Sequence, residues 1–450
     1  MALNLTSSVV RKIAQKARQT IRWCFHPPLL KGSLPPMLPG GVRLGLEEEE
    51  AAVAAVREVM RAKRLFRYFG VSRNPLQKSR VLEFERAFAA RVGVQHALAV
   101  NSGTSALVCG LVGLGVGPED EVILPAYTWV STASAVMAVG AVPVIVEVDE
   151  SLTLDVEDVR KHISPYTKAI IPVHMRGAPA RMDSLMALAE EKGLVVLEDA
   201  AQAAGANFQG QAVGSIGHAG AFSFHMTKIL AAGEGGMVTT NDDNIYRRAL
   251  MYQDSAVCPH EGVPIEEWLP GLNLRMSELH AAVAQVQLRR LNSLLGVMRG
   301  NKTRLKQILS EELANKGVTF RQIHDVDGDA SIALIFFIPD QNQTLQVVSA
   351  LTDENIQASR LYQNLEFLPR DHVDFHVYTS WLPILAQRSW SARGGPWRQH
   401  PRKIEYDAGM CPRTIDLLSR AVHIDINPAL SMDQLEQMAS GILKVASSHL

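Results

Sequence analysis

The chain has 450 residues, of which 47% are apolar and 20% charged, and its formal net charge is −1. This balance is typical of a globular protein with two domains, and the charge gives no overall field that would favour nucleic acid or membrane as the main partner. Its four cysteines lie far apart with no C-x-x-C pair, so we expect no zinc site or disulfide framework but a reducing, cytoplasmic compartment. No apolar run reaches the roughly 18 residues of a transmembrane segment.

The N-terminal stretch differs from the rest, because its first 46 residues contain seven basic side chains and no acidic one. Apolar residues recur at helical spacing over 6–24, which predicts a short basic amphipathic helix, and the proline-rich stretch 27–39 predicts a linker. Three interpretations stay open: contact with an anionic surface or a partner, a transit peptide, or an arm that packs on the protein itself. We treat residues 1–41 as an extension of the folded core.

Two helices are predicted next, over 46–62 and 81–92. From residue 96 onward, short apolar runs alternate with helical patterns, and the predicted strands lie at 96–100, 121–124, 142–148, 169–173, 194–197, 219–224 and 237–240. This alternation predicts a mostly parallel sheet covered by helices, whose ligands bind at the carboxyl ends of the strands. Ser102, His174 and Asp199 each follow directly on such a strand. We therefore predict a ligand site at that edge of the sheet.

The C-terminal third shows a different organisation. A long apolar-periodic helix is predicted over 276–295, leading out of a large domain that comprises residues 42–298. A smaller α/β domain, residues 299–450, is predicted to follow, with strands at 331–338 and 421–426 and a helix at 433–445.

One lysine has the setting of a Schiff-base former. Lys228 stands just past a predicted strand, in Phe222-Ser-Phe-His-Met-Thr-Lys, and a glycine cluster follows at 233–236. At the floor of a cleft, desolvation disfavours the ammonium, lowers its pKa and frees the amine for attack on an aldehyde. Taken alone, such a lysine is more often a solvated surface charge.

Five motifs, in order along the chain, resemble those of the DegT/DnrJ/EryC1/StrS aminotransferases, which are pyridoxal-phosphate (PLP) enzymes that aminate keto-sugars. The motifs are Asn101-Ser-Gly-Thr-Ser-Ala-Leu, Glu121-Val-Ile-Leu-Pro-Ala-Tyr-Thr-Trp, Glu198-Asp-Ala-Ala-Gln, the lysine segment, and Gly271-Leu-Asn-Leu-Arg-Met-Ser-Glu-Leu. The resemblance implies the α/β fold type I of PLP-dependent transferases, similar to aspartate aminotransferase. It has a mostly parallel seven-stranded sheet in the large domain and a small C-terminal α/β domain.

The resemblance assigns a role to each part of a PLP site. Lys228 binds the cofactor aldehyde, and Asp199 pairs with the pyridine nitrogen, whereas Glu198 faces the other side of the strand. The implied phosphate contacts are Gly103 and Thr104, at the start of a helix, and the hydroxyl of Ser223. The other implied contacts are Trp129 on the ring face, Gln202 at the phenolic oxygen, His225 beside the lysine, and Asn273 at the phosphate of the neighbouring subunit's cofactor. The role of Asn273 implies a homodimer with shared active sites.

Other positions leave the substrate side open. Arg67 and Tyr68 lie in a loop that is near the active-site mouth in the family, so they either contact substrate or pack. Ala204 stands where the family often has histidine, and Cys411-Pro-Arg-Thr departs from the usual proline-centred ending. Val173-His-Met-Arg-Gly and Val326-Asp-Gly-Asp-Ala are similar to a branch that includes an amino-octulosonate-forming transaminase. This similarity points to an acidic sugar or to specialised metabolism.

The resemblance predicts transfer of an amino group from glutamate or glutamine to a keto-sugar, nucleotide-linked or acidic, or to a cyclitol ketone. Such reactions belong to polysaccharide or antibiotic biosynthesis. The retained Lys228 favours transamination over the dehydration that relatives with histidine at this position catalyse. Two alternatives stay open: elimination or carbon–carbon bond formation by a PLP enzyme of the same fold in specialised metabolism, and a regulatory protein that binds the cofactor without turnover.

Overall fold

The computed structural model describes residues 46–68, 79–255, 257, 263–362, 373–389, 391–392 and 394–450. The predicted basic helix and linker of the N-terminal extension lie outside the described residues. Within that described part of the chain, no helix is both long and apolar enough to cross a bilayer.

A seven-stranded sheet forms the centre of the protein. The strands of the first half of the chain are β1 (His96–Val100), β2 (Glu121–Pro125), β3 (Val142–Val146), β4 (Thr167–Ile170), β5 (Val195–Asp199), β6 (Asn207–Phe208), β7 (Gln211–Ala212), β8 (Ala219–Ser223) and β9 (Gly236–Thr240). The order across the large sheet is β1-β9-β8-β5-β4-β2-β3, and β6 pairs with β7 in a separate hairpin. β9 is antiparallel to both neighbours, and the other pairs between neighbours are parallel. The predicted mostly parallel sheet is confirmed.

Helices cover this sheet on both faces, which is why its strands are almost uniformly apolar. They are α1 (Leu46–Ala62), α2 (Arg80–Val92), α3 (Gly103–Gly113), α4 (Ser131–Ala138), α5 (Val156–His162), α6 (Met182–Lys192) and α7 (Asp243–Gln253). Side chains that accept backbone N–H bonds begin several of them, for example Asp155 at α5 and Asp242 at α7. Such caps satisfy N–H groups that have no intrahelical acceptor.

The long helix is the main difference from the sequence-based expectation. Instead of 276–295, helix α8 comprises Glu278–Ala314, which is 37 residues. It buries Leu291 and Leu295 in its first part and Leu305 and Leu309 further on, all in one apolar cluster. The predicted domain division at residue 298 therefore falls inside a continuous helix, and it stays a prediction.

A four-stranded antiparallel sheet follows the long helix. Its strands are β10 (Thr319–Phe320), β11 (Ala333–Phe337), β12 (Ser359–Arg360) and β13 (Ala421–Asp425), in the order β10-β11-β13-β12. The helices here are α9 (Gln341–Asp353), α10 (Leu382–Leu385), α11 (Pro412–Arg420) and α12 (Met432–His449). Leu334 and Phe336 pack with the long helix, whereas Ala333, Ile335 and Phe337 join the core of the large sheet. The small sheet thus lies between α8 and the large domain.

Part of the C-terminal sequence packs directly on the large sheet. Tyr378 N donates to Ala126 O at 3.0 Å, and Thr128 N donates to His376 O at 2.9 Å. Tyr378 and Trp381 are fully buried in the core of the large sheet. Residues 373–381 therefore lie beside the loop that follows β2, although they come more than 200 residues later in the sequence.

Candidate active site

The carboxyl ends of β1, β5 and β8 meet at one edge of the large sheet. Ser102 follows β1 and is bridged to Gly235, while Asp199 ends β5 and is bridged to Val173. Ser223 ends β8 and pairs with Gly236. The predicted convergence of Ser102 and Asp199 at one edge is confirmed by this arrangement.

A narrow cradle forms where α3 begins. Ser102 caps the helix by accepting a bond from Ser105 N, and the N–H groups of Gly103 and Thr104 in the first turn have no intrahelical acceptor. A Cβ at Gly103 would lie 2.7 Å from Ser223 Cβ and 3.0 Å from Ser223 Oγ, so the predicted parts of the phosphate site are in contact. Free N–H groups, a helix N-terminus and a hydroxyl together favour an anion.

Asp199 is a buried carboxylate, and each of its oxygens accepts a hydrogen bond. Thr132 Oγ1 donates to Oδ2 at 2.8 Å, and Ala201 N donates to Oδ1 at 3.1 Å. Burial raises the pKa of Asp199 above its ordinary value, and the bonds from Thr132 and Ala201 only partly offset this. A cation beside Asp199 would lower the pKa again, so the site suits the protonated pyridine nitrogen that the sequence predicts. Thr132 was not among the predicted site residues.

Glu198 and His174 lie on the other side of the same strand. Glu198 is fully buried, accepts the N–H groups of Gly214, Ile216 and Gly217, and lies 3.0 Å from His174 Nε2. His174 Nδ1 accepts Ala180 N at 3.1 Å. The expectation that His174 belongs to the ligand edge is wrong for its side chain, because both ring nitrogens are used in structural contacts.

Lys228 is partly buried, three residues after a histidine that faces solvent. Burial lowers the pKa of Lys228 below its ordinary value, Asp199 opposes the change, and Arg176 adds to it. His225 Nδ1 lies 3.0 Å from Thr227 Oγ1, and its side chain is 43% exposed. A less basic amine beside a buried carboxylate fits an amine that reacts with an aldehyde.

Trp129 is 43% exposed at the end of the loop that follows β2. Its ring packs against His376 with centroids 4.9 Å apart, and His376 Nδ1 lies 2.5 Å from Asp374 Oδ1. Burial lowers the pKa of His376, and the bond to Asp374 opposes that change. The exposed indole face can take a flat ring. His376 and Asp374 were missed from the sequence because their neighbours at 128–130 are so distant in the chain.

Gln202 contacts a residue that sequence reasoning did not assign to the site. Its Oε1 accepts Arg176 N at 3.1 Å, and Arg176 Nε donates to Tyr127 Oη at 3.3 Å. Ala204, the departure noted above, is buried at 5% exposure. Gln202 therefore lies between the predicted cofactor position and a buried arginine.

Asn273 lies at an exposed position after a turn that is bonded to the sheet. Its backbone is bridged to Asp254, and Asn101 N donates to Leu274 O at 2.8 Å. Arg275 pairs with Asp254 at 2.9 Å and lies over the Phe66 ring. Phe66 and Leu272, the sequence neighbour of Asn273, are exposed apolar side chains here.

Arg67 and Tyr68 are packing residues rather than exposed contacts. Both are 6% exposed, and Arg67 pairs with Glu85 at 2.6 Å. Tyr68 Oη donates to Gln253 Oε1 at 3.0 Å, and Gln253 Nε2 donates to Ala99 O at 2.7 Å. Of the two interpretations from the sequence, the structure favours packing, because this network ties the loop to β1.

The fold and this site define an α/β enzyme of the aminotransferase class. The sequence pattern of the DegT/DnrJ/EryC1/StrS aminotransferase family matches residues 48–375, and the chain belongs to that family. It is 32% identical to the spore coat polysaccharide biosynthesis protein SpsC of Bacillus subtilis, over 81% of this chain and 88% of that protein. It is 42% identical to GDP-perosamine synthase of Caulobacter vibrioides, over 47% of this chain and 57% of that protein.

Two further similarities concern a cyclitol and a solved structure. L-glutamine:2-deoxy-scyllo-inosose aminotransferase of Streptoalloteichus tenebrarius is 41% identical over 51% of this chain and 56% of that protein. The chain thus spans little more than half of this relative and of the perosamine synthase. The crystal structure of 3-amino-5-hydroxybenzoic acid synthase superimposes with a TM-score of 0.74 at 29% identity, covering 92% of this chain and all of that chain.

Proposed function

We propose that the protein is a PLP-dependent aminotransferase that moves an amino group from glutamate or glutamine to a keto-sugar or cyclitol ketone. The observation that carries this proposal is a partly buried Lys228, whose pKa is lowered, in electrostatic interaction with the buried carboxylate of Asp199. The relatives named for perosamine and inosose amination support a sugar or cyclitol acceptor.

The residues of the site fit the cofactor. Lys228 would hold its aldehyde, Asp199 its ring nitrogen, and Trp129 its ring face. Gly103, Thr104 and Ser223 would hold the phosphate, and Gln202 and His225 would complete the polar surroundings. When bound, PLP supplies an electron sink for the negative charge left when the donor Cα loses its proton.

The chain's own contribution is to position groups and to move one proton. Thr132 and Ala201 N fix the orientation of Asp199, so the carboxylate can hold the ring nitrogen protonated. A free Lys228 Nζ would accept the proton from the donor Cα and, in the opposite half of the reaction, would donate a proton to the acceptor carbon that receives the amino group. Burial lowers the pKa of Lys228 below its ordinary value, which favours the neutral amine that this role needs.

Trapping with borohydride tests the assignment of Lys228. Borohydride reduction of the protein with PLP, followed by digestion and mass spectrometry, should place the cofactor mass on Lys228. The Lys228→Ala variant should lose amino transfer yet still bind PLP through the phosphate site. The exposed Lys192→Ala variant is the matched control and should behave as the parent. Cofactor mass on another lysine would refute the assignment.

We also propose a homodimer in which Asn273 completes the partner's site. Support comes from the exposed position of Asn273 and from two exposed apolar side chains near it, Leu272 next to it in sequence and Phe66 under Arg275, since apolar surfaces mark contacts between proteins. Mixing Lys228→Ala with Asn273→Asp under subunit exchange should restore activity, because a mixed dimer would contain one site without either defect. No recovery despite proven exchange would place Asn273 outside the partner's site.

A further inference from the structure

Arg176 has a backbone conformation that a residue with a side chain rarely adopts. Its φ is 53° and its ψ is 36°, in the left-handed region. A non-glycine residue there costs on the order of 1–3 kcal/mol and persists where the surroundings impose it. Such outliers collect at ligand sites, so the position warrants a functional explanation.

Residues near both sheets impose this conformation. Arg176 N donates to Gln202 Oε1, and Arg321 donates from Nη2 to Met175 O at 2.8 Å and from Nε to Ser151 O at 2.5 Å. The following Gly177 is also left-handed, and a Cβ on it would lie 3.0 Å from Ala330 Cβ. The turn is therefore held between the end of β5 and the small sheet, with the guanidinium of Arg176 in a fixed place.

Most N–H groups of the Arg176 guanidinium donate to no acceptor within the described residues. Within the described residues, Nε donates to Tyr127 Oη, while Nη1 and Nη2 form no hydrogen bond or ion pair. Asp374 and Asp425 act on it electrostatically, but each contacts its own histidine, His376 at 2.5 Å and His423 at 3.2 Å. Arg176 thus presents an open pair of amino groups.

This open pair lies beside the reacting groups. Arg176 is bonded to Gln202 and acts electrostatically on Lys228. A planar guanidinium with two free amino groups matches a carboxylate in a two-point contact. We propose that Arg176 binds a carboxylate of the substrate, an inference that rests on the proposed amino transfer. Because donor and acceptor use one pocket in turn, the carboxylate belongs to the donor amino acid or to an acidic acceptor sugar.

Asp374 and Asp425 help to distinguish a geometric role of Arg176 from a purely electrostatic one. Both carboxylates act on Arg176 with a sign that offsets part of its positive charge, so a point charge there would attract a carboxylate less strongly. The other attraction that arginine offers is a two-point hydrogen bond between its guanidinium and a carboxylate. Lysine at this position should therefore not replace arginine, which separates a geometric role from a purely electrostatic one.

Direct binding to the PLP-loaded protein tests the proposal without relying on turnover. The probes are maleate, a dicarboxylate that cannot be transaminated, D-glucuronate as an acidic sugar, and D-glucose as its neutral counterpart, each titrated by calorimetry. We expect Arg176→Gln and Arg176→Lys to weaken maleate binding, D-glucuronate binding or both about ten- to 150-fold, as loss of hydrogen bonds to a charged group implies. The exposed Arg181→Gln is the matched control and should bind as the parent.

The outcomes separate the sources of the carboxylate. Weakening confined to maleate identifies the donor, and weakening of D-glucuronate but not D-glucose identifies an acidic acceptor. Unchanged binding of both acids in Arg176→Gln, or full rescue by Arg176→Lys, would overturn the proposal. Failure of the proposed function is recognised separately, because the parent protein would then react with neither glutamate nor glutamine while the binding titrations could still be read.

Discussion

A single methyl group at position 103 tests the phosphate cradle. In Gly103→Ala, the new Cβ would lie 2.7 Å from Ser223 Cβ and 3.0 Å from Ser223 Oγ. Carbon atoms attract each other best at about 3.5–4.0 Å, so Ser223 or the first turn of α3 must move. Either movement takes the hydroxyl or the helix N–H groups away from the phosphate.

The size of the effect follows from the contacts at stake. A hydrogen bond to a charged group contributes about 1.5–3 kcal/mol, and about 1.4 kcal/mol corresponds to a tenfold change in affinity. Gly103→Ala should therefore weaken PLP binding about ten- to 150-fold. Overpacking should also lower the unfolding free energy of the cofactor-free protein by about 1–3 kcal/mol.

Equilibrium dialysis with PLP and urea denaturation of the cofactor-free protein measure the two quantities. Gly300→Ala is the matched control, because a Cβ there meets open space in α8. That change should leave PLP affinity unaltered and raise stability by up to about 1 kcal/mol. In a Ser223→Gly background the two shortest contacts disappear and only an approach of 3.3 Å to the Cα of residue 223 remains, so adding Gly103→Ala should cost less stability than in the parent. The reasoning is refuted if Gly103→Ala binds PLP like the parent or if the full stability cost survives in that background.

Two further predictions concern neighbouring carboxylates on β5. Because burial raises the pKa of Asp199, its ionised form destabilises the cofactor-free protein at neutral pH. Asp199→Asn should therefore be more stable than the parent at pH 7, and the difference should shrink as the pH falls towards the ordinary carboxyl range. Urea denaturation across that range checks this, and a pH-independent difference would contradict it. Glu198→Gln should cost about 3 kcal/mol of stability, because one of the two buried oxygens that accept three N–H groups becomes an NH2 group that faces a donor. The PLP affinity of the folded protein, measured by dialysis, should stay unchanged.

The strands could be predicted because their apolar runs are short and bounded by polar turns. Each of the seven predicted strands overlaps an observed strand of the large sheet. The long helix was predicted too short because Gly296 and Gly300 suggest an end. Both lie in open space on α8, where a glycine costs only about 1 kcal/mol, and burial of Leu305, Leu309 and Leu313 outweighs that cost.

The residues of the proposed cofactor site could be anticipated from sequence motifs, whereas the residue proposed to bind substrate could not. Gly103, Asp199 and Ser223 lie at strand ends, which local sequence patterns reveal. Arg176 depends on a left-handed turn that Arg321 and the small sheet stabilise. Likewise, His376 reaches Trp129 through backbone bonds between segments that no local pattern connects.

The attachment of residues 373–381 limits how a ligand can enter. Val130 N donates to Phe375 O at 3.0 Å and Thr128 N to His376 O at 2.9 Å, so the loop that carries Trp129 is joined to the C-terminal sequence. On the opposite side, α8 runs unbroken from one sheet to the other over 37 residues, roughly 55 Å. A hinge rotation of the small sheet would have to break these backbone bonds and bend that helix. Under the proposed function, we therefore expect substrate exchange to depend on side chains and loops rather than on rotation of the small sheet.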